Sequence, residues 1–356
     1  MTAVIPAGVT TARDIVRPAL GAALERLTPA MRQVAAYHLG LADADGAIPP
    51  GSGGGAIPPG SGGGASGTGS GKALRPALAL LSVRAAGEPA ERGVAAAVAV
   101  ELVHNFSLLH DDIMDGDTER RHRPTAWTVF GVPAAILAGD ALLALAQDIL
   151  LERAGPQGRW AARCLLAAVQ RLIAGQSADM AFERRSDVTM DECLTMAGDK
   201  TAALMACACS IGAIAVGAPA SLAMSLADFG SHIGLAFQLV DDLLGIWGAP
   251  EVTGKPVWSD LRTRKKTLPV VAALTAQAAP GSVELAELLA REATLTEDDL
   301  GRAAWLVAEA GGRAWAEQEA ERQLEAACKC LADAPIPPDV RAELTEIARF
   351  IAARQA

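Results

Sequence analysis

The chain has 356 residues, 51% hydrophobic and only 4% aromatic, with a formal net charge of −10. That sign of charge argues against nucleic acid as a partner. The near absence of β-branched or aromatic alternation argues against a sheet-built fold. What remains is an all-α protein long enough to bury a large core.

Residues 11–39 carry Ile15, Leu20, Leu24, Leu27, Met31 and Val34 at near-helical spacing, so the first 45 residues are expected to form a helical segment of the bundle. The composition then breaks. "GAIPPGSGG" occurs twice in tandem, at 46–54 and 55–63, and "GASGTGSG" follows. Residues 46–71 are therefore expected to be a flexible Gly/Pro/Ser linker with no chemistry of its own. From Lys72 to the end, 72–356 reads as one domain. Helices are expected at 74–86, 90–115, 133–153, 158–175, 189–216, 220–248, 266–278, 282–292, 297–310, 312–331 and 338–354, with breaks at Gly and Pro.

The uncharged run from Thr201 to Ala227 resembles a membrane span, but Gly217 and Pro219 interrupt it. A helix buried on all sides is expected there, and no transmembrane segment. The six cysteines do not match zinc spacing and read as buried thiols. No charged-then-apolar leader opens the sequence, so a cytoplasmic location is expected.

"LLHDDIMDGDTERRHRP" concentrates acids at the end of an apolar run. Asp111 and Asp115 are four apart and share one helix face, with Asp112 beside them. Carboxylates so placed either repel or hold a hard cation. Mg²⁺ suits them, because it binds one or two carboxylates together with substrate phosphates. "AFQLVDDLLGIWG" repeats the arrangement with Asp241 and Asp242. Two such helix ends facing across a cleft could clamp divalent ions. Lys72, Arg75, Arg120, Arg121, Lys200, Lys255 and Lys265 lie close to the Asp pairs and helix breaks, as a site that grips diphosphate requires.

The ordered set "GKALRP", "HNFSLLHDDIMDGDTERRHRPT", "DKTA", "FQLVDDLLGIWG" and "GKPVWSDLRTRKKTLP" resembles the trans-isoprenyl diphosphate synthases, or polyprenyl synthetases, and within them the bacterial geranylgeranyl diphosphate synthases. The resemblance implies a single-domain bundle of ten or more helices around a central prenyl-binding cavity. It implies Mg²⁺, three ions per site, held by Asp111, Asp115 and Asp241, with Asp112 and Asp242 supporting. Arg120, Lys200, Gln238 and Lys255 would hold the allylic diphosphate, and Lys72, Arg75, His104 and Arg121 the isopentenyl diphosphate. Thr201 and Lys265 complete the substrate-binding set, and Lys200 joins the aspartates as a catalytic residue. A homodimer is also implied. No protein base is nominated, and His110 and His122 are read as structural.

Chain length is expected to be set by Phe106 and Ser107, upstream of Asp111 on the same helix. An aromatic ring at Phe106 and an uninserted "DDIMD" point to a C20 product, with a C15 farnesyl product as the alternative. Two positions depart from the family pattern. Gly245 stands where a third Asp usually follows Asp241, which is expected to weaken metal binding. His122 stands where Gly usually follows the paired arginines, and its ring is expected to crowd them. A class I terpene cyclase and an inactive partner subunit of a heteromeric synthase are the rival readings.

Overall fold

The computed structural model describes residues 5–47, 73–250, 256–276, 280–291 and 293–353. Lys72, Lys255 and the linker from residue 48 onward lie outside the described residues.

Helices account for nearly all of the order. In sequence they are α1 (Ala7–Leu24), α2 (Pro29–His38), α3 (Leu74–Ala85), α4 (Val94–Met114), α5 (Ala126–Phe130), α6 (Val132–Leu151), α7 (Pro156–Phe182), α8 (Met190–Ala197), α9 (Ala203–Val216), α10 (Ala220–Trp247), α11 (Ser259–Arg262), α12 (Leu268–Thr275), α13 (Pro280–Leu289), α14 (Glu297–Glu309), α15 (Gly312–Ala332) and α16 (Pro338–Ala352). Local sequence starts several of them. Thr189 and Glu192 form a reciprocal capping box on α8, and Thr296 and Asp299 form another on α14. Proline opens α2, α6, α7, α12 and α16 at a position where its missing N–H costs nothing.

The two-residue strands β1 (Glu119–Arg120) and β2 (Arg123–Pro124) pair antiparallel between α4 and α5. Their turn residues, Arg121 and His122, both have positive φ, at 54° and 60°. That is the handedness a tight hairpin turn requires, and one that glycine adopts more cheaply. Neither this hairpin nor the short α5 and α11 has a periodicity long enough to be read from sequence.

The main core gathers α1 to α4, α6, α7, α9, the first half of α10 and α16. The N-terminal helices belong to it. Two smaller cores pack on the later part of α10: one with α11 to α14, the other with α8, α12 and α15. α10, 28 residues and about 42 Å long, thus ties the three together. Fully buried side chains such as Leu204, Phe229 and Leu142 each contribute roughly 1.5–3 kcal/mol.

The expected buried run is α9, almost every residue of which is hidden; it ends at Gly217 in a left-handed cap. By length and composition alone, three stretches could cross a membrane: Ala90–Met114, Val132–Leu151 and Met190–Val216. Two of them have 67% and 72% of their apolar window inside the fold, but Val132–Leu151 has only 39%. Beside it, Leu166, Ile173 and Met180 recur every seven residues on α7 and are exposed. They form a single apolar stripe. The cysteines hold no disulfide, and the expectation of buried thiols fails at Cys328, which is exposed.

Candidate active site

A five-residue π-turn, Gly198–Ala202, joins α8 to α9 and carries Lys200 and Thr201. Wide turns of this kind are frequent at functional sites. Glycines let the neighbouring helices approach it. A Cβ on Gly175 of α7 would collide with the Lys200 backbone, and one on Gly234 of α10 would collide with Ala202. The close approach on α7 sets Lys200 Nζ against the carboxylate of Asp179.

The C-terminal part of α4 and that of α10 meet this turn around one cavity of about 230 Å³. Asp111 and Asp241 both line it, together with Asp242, Asp179, Asp260, Lys200, Lys265, Lys266, Arg75, His104, Gln176, Thr201, Gln238 and Thr267. Its apolar wall is Leu108, Leu172, Met196, Leu204 and Phe237. Asp111, Asp241 and Asp242 thus open on one cleft, whereas Asp112 lines a separate small hollow beside Arg120.

Each Asp pair is divided by helix geometry into a first member that lines the cavity and a second that is buried. Asp241 is exposed, and burial plus the neighbouring Asp115 and Asp112 charges push Asp111 up to about 6 against the pull of Lys200 and Arg120. Asp112 is buried and accepts 2.6 Å from Arg120 Nε, which explains how an arginine is held at the hairpin. Asp242 is buried too, but its partners are neutral. It accepts from Gln238 Nε2 at 2.6 Å and from the Leu268 N–H, the first amide of α12, at 2.9 Å. Burial, with the Asp260 charge, raises Asp242 to about 8. Thr201 in turn donates to Gln238 Oε1. A polar chain thus runs from the π-turn through α10 to α12 and fixes Gln238.

Asp115 is met by Lys265 Nζ at 3.1 Å. Burial alone would lower Lys265, but Asp115, Asp179 and Asp260 outweigh it and hold its charge. On the other side Arg75 lies 3.3 Å from His104 Nε2, and burial lowers Arg75 to about 10 against the pull of Glu101. Arg121 does not line the main cavity. It shares two much smaller hollows, one with Glu101 and Asn105 and one with His38, Arg120 and Arg123.

Phe106 is buried and stacks edge-on against His110, with ring centroids 4.9 Å apart, and it does not line the main cavity. Ser107 does. His110 packs on α6 against Gly139 and reaches the Ile136 carbonyl at 3.1 Å. His122 is exposed, so its cost lies in its backbone conformation and not in crowding of the arginines. Asp179, Gln176 and Asp260 were missed from sequence. Gln176 and Asp179, three apart on α7, read as an ordinary solvated helix face, and only the tertiary approach of Lys200 reveals them.

Hard oxygen donors on two opposed helix ends suit a divalent cation. Among the described residues no three acidic, His or Cys side chains converge on one ion-sized point. That is compatible with Mg²⁺, which takes most of its ligands from phosphates and water. Asp111 and Asp115 on one side and Asp241 on the other are the groups that could hold it.

Fold and site together describe a helical bundle with an acid-mouthed, apolar-walled cleft, and the comparisons give that class a family. Residues 66–304 match the polyprenyl synthetase family. The chain is 47% identical over 348 residues to a (2E,6E)-farnesyl diphosphate synthase of Mycobacterium tuberculosis, covering 97% of this chain and 92% of that one. It is 43% identical over 324 residues to a geranylgeranyl diphosphate synthase of the same organism, covering 91% and 87%. A polyprenyl synthetase structure from Streptomyces coelicolor A3(2) superposes with a TM-score of 0.88 at 48% identity, over 98% of this chain and 99% of that one. The chain belongs to the polyprenyl synthetase family.

Proposed function

We propose that the protein is a trans-prenyltransferase that condenses isopentenyl diphosphate with an allylic diphosphate to make a short-chain all-trans prenyl diphosphate. The single observation that carries this is the shared cavity, which Asp111, Asp241, Lys200 and Lys265 line together with the apolar Leu108, Leu172, Met196, Leu204 and Phe237. Farnesyl and geranylgeranyl diphosphate synthases among the relatives support it.

In the reaction the allylic carbon–oxygen bond breaks and its electron pair leaves with diphosphate. The isopentenyl double bond attacks the resulting cation, and the released diphosphate then takes the proton whose loss restores the alkene. Mg²⁺, when bound, supplies charge neutralisation to the leaving diphosphate; we assign it to Asp111, Asp115 and Asp241, with three ions as the family pattern implies. Lys200, held by Asp179, and Lys265, held by Asp115, present point charges to the leaving group. Arg120, oriented by Asp112, and Gln238, oriented by Asp242 and Thr201, complete the allylic set with Lys255. Arg75 and His104 form the isopentenyl side with Lys72 and Arg121. The apolar wall keeps water from the cation.

The product we propose is C20, supported by the uninserted "DDIMD" motif. Ser107 and Phe237, which line the cavity, are the residues we assign to meet the growing chain, and Phe106 is buried outside the cavity lining. The farnesyl synthase relative makes C15 the second reading. In the homodimer we propose, a second copy of the chain covers the apolar stripe of α7, and the reading includes a cytoplasmic location.

The purified chain with Mg²⁺, isopentenyl diphosphate and an allylic starter is expected to elongate the starter on its own. A cyclic hydrocarbon from a longer allylic diphosphate would indicate a cyclase instead. Activity that appears only when a partner protein is added would indicate the inactive subunit.

A further inference from the structure

α4 and α10 present their acids in the same register, with one gap. On α4, Asp111 is followed one turn later on the same face by Asp115. On α10, Asp241 is followed one turn later by Gly245, so the helix itself offers no second carboxylate. The space is not empty. A Cβ built on Gly245 would have every atom of the Asp260 carboxyl group within 2.9 Å, closer than real Cβ contacts come. Asp260 lies on α11, which is docked on α10 by Ser259 Oγ donating to the Gly245 carbonyl at 3.2 Å. It lines the same cavity as Asp111 and Asp241. Its charge is felt by both Asp242 and Lys265.

We propose that Asp260 supplies, from α11, the carboxylate that α10 lacks at Gly245, and that Gly245 is glycine because Asp260 occupies that volume. This rests on the diphosphate-and-metal reading of the site given above. On it, Asp260 is a positioning residue for the α10 side of the cleft: it adds the negative charge that draws a divalent cation toward Asp241, as Asp115 does beside Asp111. A consequence is that restoring an aspartate at Gly245 is harmful on its own. The new side chain would meet a like charge at less than contact distance and push α11 off α10.

The test uses the full-length chain and two readouts: the Mg²⁺ concentration for half-maximal elongation, and the thermal shift produced by Mg²⁺ with inorganic pyrophosphate. Asp260→Asn, nearly isosteric, is expected to raise the Mg²⁺ requirement about tenfold and to shrink the thermal shift, with metal-free melting no lower than wild type. Gly245→Asp is expected to lower metal-free melting and to weaken the response. The exchange Gly245→Asp with Asp260→Ser is expected to restore the Mg²⁺ requirement to within about threefold of wild type. Wild-type Mg²⁺ dependence in Asp260→Asn, or an exchange variant no better than Asp260→Ser alone, would overturn the proposal. If wild type itself showed neither elongation nor a thermal shift, the reading of the site would fail first, and the two failures are thereby told apart.

Discussion

The same dipeptide, Asp-Asp, stands near the C-terminal end of α4 and of α10, yet the two ends solve one problem differently. On both, the first Asp faces the cavity and the second is buried. Asp112 meets an arginine, so its burial is matched by a charge. Asp242 meets an amide and a backbone N–H, so burial pushes it up to about 8. The α4 end carries its further carboxylate on its own next turn, whereas at the α10 end one arrives from another element. A repeated motif therefore specifies where the first acid points. The neighbours decide what the second acid does.

The largest effects should come from the acids that the two ends have in common. Asp111→Asn and Asp241→Asn are each expected to lower the elongation rate by more than about a hundredfold, since an orienting group behind a metal ligand already costs 10–100-fold. Equal losses would support two sides sharing one task, and a silent Asp241→Asn would break the comparison. The buried members should separate the ends by stability. Asp112→Asn strands Arg120 and is expected to cost about 2 kcal/mol, discounted from a fully buried pair because Arg120 is 29% exposed. Asp242→Asn, whose partners are neutral, is expected to cost only about 1 kcal/mol. Chemical denaturation measures both, and the reverse order would contradict the assignment of partners.

The hairpin beyond α4 gives a pH test. His38 Nε2 is buried with no hydrogen-bond partner, and burial together with Arg120, Arg121 and Arg123 lowers His38 from 6.5 to about 3. Between those values the unfolded chain takes a proton that the folded chain refuses. Stability contributed by neutral His38 is complete above pH 6.5 and is lost as pH falls toward 3, at most about 1.4 kcal/mol per pH unit. His38→Gln should flatten that acid limb in melting curves; an unchanged slope would contradict it. A comparably small effect is His122→Gly, which relieves a left-handed φ of 60° and should stabilise by about 1 kcal/mol, seen as a rise in melting temperature.

Sequence made the long helices legible because their apolar periods and their Gly and Pro breaks are local signals. α6 and α10 fall within two residues of expectation, α4 begins four residues late, and the helix expected at 189–216 is divided into α8, the π-turn and α9. α7 runs to Phe182, past the expected residue 175, because Gly175 does not end it; it makes room for the π-turn. The acids were legible by their density. What could not be read was pairing at a distance: Asp179 with Lys200, Asp115 with Lys265, and Asp260 in the space beside Gly245. Read along the chain, Gly245 was a loss from the motif, and only the fold shows what fills its place.

The most direct measurement is anomalous diffraction from crystals soaked with Mn²⁺ and inorganic pyrophosphate. Metal peaks should appear on both sides of the diphosphate, against Asp111 and Asp115 on α4 and against Asp241 on α10. Peaks confined to one helix end, or none in the cavity at high occupancy of pyrophosphate, would contradict a shared cation clamp.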